Sequence, residues 1–472
     1  MTFLDSLEQG TNKNARTANG AVSNDSTLDY VLDFFSQAGA MRGREEQALT
    51  LFNRAYAQDK NLALKTLFYL RDIRGGQGER ALFKYIFERL DSETKAKLAI
   101  HIPEYGRWDE VPLDADNIHL IKSQIESDLI ALDEGGSVSL LAKWLPSEVS
   151  VSRKNRREFE KLMKLMEMKP SQYRKMLSKL RERIGLLEQD MSSKNWSEID
   201  YSKIPSQAHK KHVKAFLRND ETRYREFLSS VEKGEATVNS GTLYTYDIYD
   251  MINGYSVSAD EKRTAEALWK NLPDYTQGKN ALVVADVSGS MIGRPMSVSV
   301  SLAIYFAERN KGMFKDYFMT FSDDSKLQRI VGSTLQDKIN TLHRAEWGMS
   351  TNLQSAFDAI LRAAKDSNAS SDEMPSTLYI ISDMQFNCVR DADDTNFEAA
   401  RKKFNEAGYE LPTIVFWNVN AYGDAPGTKF DKNVTMISGF SQSTFQYAVE
   451  GKSPVESMTD ILNSERYARI SV

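Results

Sequence analysis

The chain has 472 residues, with 61 Lys/Arg against 66 Asp/Glu for a formal net charge of -5, 41% hydrophobic and 10% aromatic residues, and one cysteine. That length exceeds what one hydrophobic core usually fills, so two or three domains are expected, and the apolar content excludes a largely disordered protein. The lone Cys388 excludes an internal disulfide and any thiolate cluster for zinc or iron, which fits a reducing compartment.

No stretch of about 18 apolar residues occurs, and the first ten residues show no basic start leading into an apolar run. A cytoplasmic protein without a membrane segment is expected, as a monomer, with oligomerisation left open. The negative balance argues against polyanion binding by the surface as a whole. Residues 151–218 nonetheless hold 18 Lys/Arg against 8 Asp/Glu, or +10, which leaves -15 for the remainder. Positive charge is segregated along the chain.

Residues 1–25 are rich in Asn, Thr, Ser, Gly and Ala without periodicity and read as a flexible or loosely docked arm. From 26 to 275 the pattern is helical. Ser26 suits an N-cap, with Leu28, Val31, Leu32 and Phe35 on one apolar face before Gly39. Amphipathic segments follow at 45–58, 61–73, 79–90 and 118–132, joined by short polar or Gly-containing turns that favour antiparallel helix pairs. After a break at Pro170, Tyr173, Met176, Leu177, Leu180, Ile184 and Leu187 line one helical stripe, with Lys175 and Lys179 facing away and Arg174 and Arg181 flanking it. A further helix at 207–218 carries His209, Lys210, Lys211, His212, Lys214 and Arg218. No strict period appears, but the helix-pair rhythm suggests a HEAT-like α-solenoid or a closed helical ring.

Near residues 274–279 the texture changes to short apolar strands alternating with helices, so a doubly wound, Rossmann-like α/β domain is expected over 276–472. Its strands are predicted at 281–285, 317–321, 326–330, 377–382, 413–418 and 434–437. Pro295 suits the first turn of a helix whose apolar faces fit a parallel sheet.

The first of these strands runs into Asp286-Val-Ser-Gly-Ser290, placing one carboxylate and two hydroxyls where a sheet edge meets a loop. A hard divalent cation takes oxygen ligands, and alternate residues leaving a strand can converge on one point. Alone, that spacing is a weak signal. Downstream, Trp347-Gly-Met-Ser-Thr351-Asn puts a threonine hydroxyl in a Gly/Ser loop before a helix, and Thr377-Leu-Tyr-Ile-Ile-Ser-Asp383 runs a second strand into another carboxylate.

In these three segments the C-terminal part resembles a von Willebrand factor A-type (vWA) domain with all parts of its metal-ion-dependent adhesion site in order. The resemblance implies that Ser288, Ser290 and Thr351 contact Mg2+, or another divalent cation such as Mn2+ or Ca2+, by hydroxyl. Asp286 and Asp383 would bind directly or through waters. A position is then left for the carboxylate of a protein partner. The plain alternative is two buried strands ending in solvated acids.

Leu70-Arg-Asp-Ile-Arg-Gly-Gly-Gln-Gly-Glu-Arg80, Leu140-Leu-Ala-Lys-Trp-Leu-Pro-Ser-Glu148 and Trp196-Ser-Glu-Ile-Asp-Tyr-Ser-Lys-Ile-Pro-Ser206 look like hallmark segments of a domain-of-unknown-function family. That family joins a helical module to a vWA domain and is related to the Ro (TROVE) ring proteins. The resemblance covers nearly all of the chain beyond the arm. It implies a helical-repeat ring, closed by the vWA domain, that binds misfolded and small structured RNAs on its basic surface and cavity.

Candidate RNA contacts are Arg74 and Arg80 in the glycine-rich turn, Arg153, Lys154, Arg156, Arg157, Arg174, Lys175 and Lys179, and His209, Lys210, Lys211, Lys214 and Arg218. For the turn, interhelical structure is the alternative to phosphate contact; for the basic runs, it is a solvated helix face. Tyr173, Trp196 and Tyr201 lie nearby as possible base-stacking rings, or as core. Catalytic constellations are poor, since the five histidines form no metal pair and none lies beside Ser288 or Ser290 to activate a nucleophile. Asp323 and Asp324 either border the metal loop or are solvated. The expectation is a non-enzymatic ribonucleoprotein component. A protein-binding scaffold using the same metal site without RNA is the alternative, and a metal-dependent phosphoryl-transfer enzyme a third.

Overall fold

The computed structural model describes residues 2–148, 150, 152–254, 256–276, 280–344, 350–389, 394–447 and 452–472. The N-terminal arm is docked rather than loose. Thr2 caps a helix at Phe3–Asn12, and the short strands β1 (Ala15–Arg16) and β2 (Val22–Ser23) then pair antiparallel. Its small polar residues find partners far away in sequence. Thr17 Oγ1 donates to Phe386 O at 2.7 Å, and Asn24 and Ala425 exchange backbone hydrogen bonds at 3.1 and 3.0 Å. A composition that reads as loop chemistry serves here as hydrogen-bonding chemistry.

Helices Tyr30–Gln37, Glu45–Gln58, Lys60–Arg71 and Arg80–Phe87 follow. Asp29, Asp59 and Glu79 each accept a backbone N–H of the turn they precede, satisfying groups that have no partner inside the helix. The first of these helices therefore starts after Asp29, not Ser26. Ser26 Oγ instead donates to Asp33 Oδ2 at 2.6 Å, and Leu28 takes a left-handed backbone, φ 63°, which breaks the expected helical face.

Helices Ile118–Asp133, Leu141–Trp144, Arg153–Met166 and Pro170–Ile184 enclose a second, smaller core around Ile121, Leu145, Phe159, Leu162, Tyr173 and Leu177. The apolar stripe expected to reach Leu187 ends at Ile184. Gly185 is left-handed, φ 65°, and Leu187 opens a new helix, Leu187–Ser192, that joins the main core. Ser206–Asn219, Glu221–Glu232, Thr245–Ile252 and Ala259–Lys270 complete the helical part. Among the described residues no helix is long and apolar enough to cross a membrane.

From residue 280 strands alternate with helices. β3 (Ala281–Ala285), β4 (Tyr317–Thr320), β5 (Leu327–Arg329), β6 (Thr377–Ser382), β7 (Thr413–Asn418) and β8 (Val434–Ser438) form one sheet in the order β5-β4-β3-β6-β7-β8. All neighbours are parallel except β5, which returns antiparallel along β4. β3, β6, β7 and β8 are buried at every position, as apolar runs covered on both faces require. The chain leaves β3 to one side for β4 and crosses to the other for β6. A crevice therefore opens at the carboxyl ends of β3 and β6.

Both ends of the helical part rest on this sheet. Ser438 Oγ donates to Phe35 O at 3.2 Å, and Gln77 Nε2 donates to Ser438 O at 2.9 Å. From the other end, Thr245 Oγ1 and Ser301 Oγ share a hydrogen bond of 2.9 Å and Gln442 Nε2 donates to Leu243 O at 2.9 Å. Tyr244 OH donates to Gln77 O at 3.2 Å, so the first and last helical segments also meet.

The glycine-rich segment 70–80 lies at this meeting point. A Cβ on Gly76 would stand 2.0 Å from Tyr69 O, and one on Gly78, φ 64°, would stand 1.8 Å from Tyr244 Oη. Arg71 is 3% exposed and forks onto Glu110 at 2.5 and 2.7 Å. Arg80 reaches Asp109 at 2.5 Å and Glu110 at 2.9 Å, while the side chain of Arg74 is exposed. Asp72, fully buried, takes two N–H groups of Arg466 and the Tyr467 hydroxyl, tying the chain's end to its helical start. Asp72→Ala strands the guanidinium and hydroxyl it now satisfies and should lower unfolding stability by about 3–5 kcal/mol, read by denaturant titration; a change under about 1 kcal/mol would refute a stabilising joint.

Candidate metal centre and basic surface

β3 and β6 pair with Ala285 opposite Ile381, so Asp286 and the Ser382–Asp383 pair leave the sheet side by side. Asp286 N donates to Ile381 O at 2.9 Å. Its carboxylate accepts from Ser382 Oγ at 2.6 Å on Oδ2 and from Ser288 N at 2.9 Å on Oδ1. Ser288 Oγ and Ser290 Oγ are 3.1 Å apart, and Asp383 Oδ1 accepts from Gln385 N at 3.1 Å. Asp286, Ser288 and Ser290 are thus linked by hydrogen bonds, and Asp383 directly follows Ser382, which bonds Asp286. Thr351 is tied to the loop after β6, not directly to these residues: its Oγ1 donates to Asn387 Oδ1 at 2.8 Å and its carbonyl accepts Asn387 N at 3.1 Å. Trp347, Gly348 and Met349 of the same motif lie outside the described residues.

Asp286 and Asp383 are both 0% exposed. Burial, and then the charge of Asp383, push the Asp286 carboxyl up to about 6. Burial raises Asp383 too, against the opposing N–H bond from Gln385. Asp383 Oδ2 has no hydrogen-bond partner although it is buried. Two buried carboxylates that repel each other, one with an orphaned oxygen, are an arrangement that a bound cation relieves. Among the described residues no three His, Cys, Asp or Glu side chains converge, so the donor set is two carboxylates with three hydroxyls. That chemistry suits a hard divalent ion and not a soft one.

Several contributors carry no motif in the sequence. Ser382 and Asn387 hold Asp286 and Thr351 in place. Arg44 brings a positive charge toward Asp383 while bonding Ala421 O and Asn420 Oδ1 and covering the Tyr422 ring at 4.4 Å. Asp424, a third carboxylate and half-buried, is held by Gln385 Nε2 at 3.1 Å and Ser23 Oγ at 3.0 Å. Met384, between Asp383 and Gln385, has a left-handed backbone, φ 66°, a strained state for a side-chain-bearing residue. Asp323 and Asp324 are exposed, and so is Cys388.

Comparison with known proteins now bears on the chain as a whole. Residues 17–93 and 118–275 match one domain of unknown function, DUF2828, and residues 280–468 match another, DUF7788. The uncharacterized protein L728 of Acanthamoeba polyphaga mimivirus is 32% identical over 476 positions, covering 90% of this chain and 82% of the viral one. The chain belongs to the family of that protein. The DUF2828 match begins inside the N-terminal arm, and the DUF7788 match contains the whole cluster of candidate ligands. Among solved structures, the crystal structure of the Ro (RSR) protein of Deinococcus radiodurans aligns over 93% of this chain and 94% of that one, at 12% identity and a TM-score of 0.37.

The basic residues fall into three groups. Arg153, Lys154, Arg156 and Arg157 are exposed at the start of helix Arg153–Met166, and Arg174, Lys175 and Lys179 are exposed on Pro170–Ile184. Over residues 153–184 the sequence counts 12 Lys/Arg against 4 Asp/Glu, or +8, on the outside of the smaller core. Lys211, Lys214 and Arg218 are exposed on Ser206–Asn219, where Lys210 pairs with Asp247 at 2.5 Å and Lys214 with Glu261 at 3.5 Å.

His209 is not a surface contact. It is 0% exposed, with Nε2 2.9 Å from Tyr224 Oη, because it shares the apolar face of Val213 and Phe216. Tyr173 and Tyr201 are core residues as well, and Trp196 is half-buried against the main core, so the rings proposed for base stacking serve packing.

Burial pushes the His209 imidazole down to about 4 from an ordinary 6.5. The folded state therefore favours the neutral ring, and this stability is fully present above pH 6.5 and lost as pH falls toward 4, by about 3 kcal/mol in all. His209→Gln should flatten the stability profile across that window in denaturant titrations; a slope equal to wild type would show that other groups set it.

Proposed function

We propose that this protein is a non-enzymatic, cytoplasmic binding protein built from a HEAT-like helical module and a vWA-type domain with an adhesion-type metal site. In this reading Asp286, Ser288, Ser290, Thr351 and Asp383 hold Mg2+, or Mn2+ or Ca2+ in its place. The observation that carries it is the buried, partnerless Asp383 Oδ2 beside a second buried carboxyl already pushed up by its neighbour. A bound divalent cation would supply an open coordination position for the carboxylate of a protein partner. Asp286 and Asp383 match its two charges, and the three hydroxyls add none. More ligating carboxylates would repel an acidic ligand; Asp424, the third acid nearby, is instead held by Gln385 and Ser23.

RNA is the proposed second ligand, held on the exposed basic face of residues 153–184. With Phe159 and Tyr173 in the core, that face offers charge without rings. It suits phosphate backbones and RNA shape rather than stacked single-stranded bases. The scaffold reading draws support from Arg174, which Glu148 already holds at 2.6 Å, and from the paired Lys210 and Arg80. It predicts a protein partner on the same surface.

Titrating chelator-treated protein with Mn2+ in a calorimeter should give one site, which Asp286→Ala abolishes while the far-ultraviolet helical signal stays intact. Equal binding by the variant would refute the assigned ligands. For RNA, filter retention of a structured duplex should fall steeply with salt. Replacing Arg153, Arg156 and Arg157 together by Ala should reduce the log-log slope by about 2–3, the loss of three phosphate contacts. Retention that ignores salt, or no retention at low ionic strength, would leave only the scaffold.

A further inference from the structure

We infer that the N-terminal arm is a working wall of the cation site, with Asn19 as its positioning residue. This rests on the metal reading above. Asn19 lies in the turn between β1 and β2, 332 residues before Thr351 in sequence. Its Nδ2 donates to Thr351 Oγ1 at 2.8 Å and to Gln385 O at 2.7 Å. One acceptor is itself a candidate ligand, and the other lies two residues beyond Asp383. A single side-chain amide therefore spans the two separate loops that must converge on one ion.

The bond to Thr351 also fixes a direction. A hydroxyl oxygen has one hydrogen and two lone pairs. The hydrogen of Thr351 goes to Asn387 Oδ1 at 2.8 Å and Asn19 takes one lone pair, which leaves one lone pair held in a defined orientation. Contacts on either side of Asn19 keep it there. Ala18 N donates to Gln385 Oε1 at 2.6 Å, Thr17 Oγ1 donates to Phe386 O at 2.7 Å, and Gly20 forms an antiparallel bridge with Asn387. Ordering of this kind lowers the cost of assembling ligands drawn from different loops, and outer partners of metal ligands are worth about 10–100-fold in affinity. By linkage, an ion that favours the assembled loops also favours the docked arm. The family matches agree in placement: residue 17 opens the DUF2828 match, while 351 and 385 lie in DUF7788, so the two modules touch at this amide.

The test uses the full chain and Mn2+ alone. Asn19→Ala should weaken Mn2+ binding about 10-fold or more by calorimetry, and Asn19→Gln, which retains an amide, should recover part of the loss. Melting of the metal-free proteins should be unchanged. Mn2+ should also slow proteolytic cleavage within residues 10–25 of wild type and have no such effect on Asp286→Ala. Binding by Asn19→Ala as tight as wild type overturns the proposal, and tighter binding would make the arm a competitor. Equal weakening in both variants with a matching fall in metal-free melting would reduce Asn19 to a structural brace, which also overturns it. If wild type itself binds no Mn2+, the metal reading fails and this inference falls with it.

Discussion

The buried carboxylate of Asp72 fixes the relation between the two ends of the chain, and the geometry of the candidate metal centre depends on that relation. It accepts from Arg466 and Tyr467, nearly 400 residues later, and the rings of Tyr105 and Tyr467 stack beside it at 5.7 Å. A charge so placed is tolerated only because a guanidinium, a hydroxyl and a backbone N–H from Arg74 all satisfy it. Gln77, five residues on, locks the same turn to the end of β8. With β8 held against the helix Tyr30–Gln37, the preceding segment is delivered to Ala425 and to residues 385–387, which is where the arm lands. The joint thereby sets the wall of a site more than one element away.

Sheet order does the rest. Because β3 and β6 are adjacent and parallel while the chain departs from them in opposite directions, their carboxyl ends are the one place where two loops diverge and leave space between them. Asp286 and Asp383 occupy that place in full burial, and the mutual repulsion visible in Asp286 is the electrostatic cost of putting them there. Ser382 offsets part of it by donating its hydroxyl hydrogen to Asp286. Asp383 Oδ2 is left over. On the proposed reading, this residual mismatch is what a bound cation would relieve.

The strands were legible because β3, β6 and β7 are uninterrupted apolar runs, and the two acids because they follow those runs directly. The helical part was legible in periodicity but not at its ends, where Asp29 rather than Ser26 supplies the cap and Gly185 reverses the chain before Leu187. Arg44, Asp424, Asn387 and Asn19 carry no local pattern. Their roles come from tertiary neighbours, which a single sequence does not encode by spacing. His209 is different, since Val213 and Phe216 at i+4 and i+7 already put it on the apolar face; its basic neighbours in sequence masked a periodicity that was present. The arm was misread for the same reason that polar composition is ambiguous, as Asn and Thr serve solvent-exposed turns and long-range hydrogen bonds equally well.

Charge and packing are divided along the same line. The main core runs without interruption from Ala21 through the helices to Ile470, whereas the helices that carry most of the excess positive charge close around a core of their own. Dispersion and burial inside that smaller core are insensitive to what happens at the ends of β3 and β6, so a ligand on residues 153–184 and a ligand at Asp286 load separately packed units. Confining +8 to two helices of the smaller unit also keeps it from neutralising the acidic remainder, where, on the proposed reading, Asp286 and Asp383 need a negative field to hold a cation. A uniform mixture of the same residues would weaken both surfaces. On the proposed reading, segregation lets one acidic protein present a polyanion-attracting face and a cation-attracting crevice at the same time.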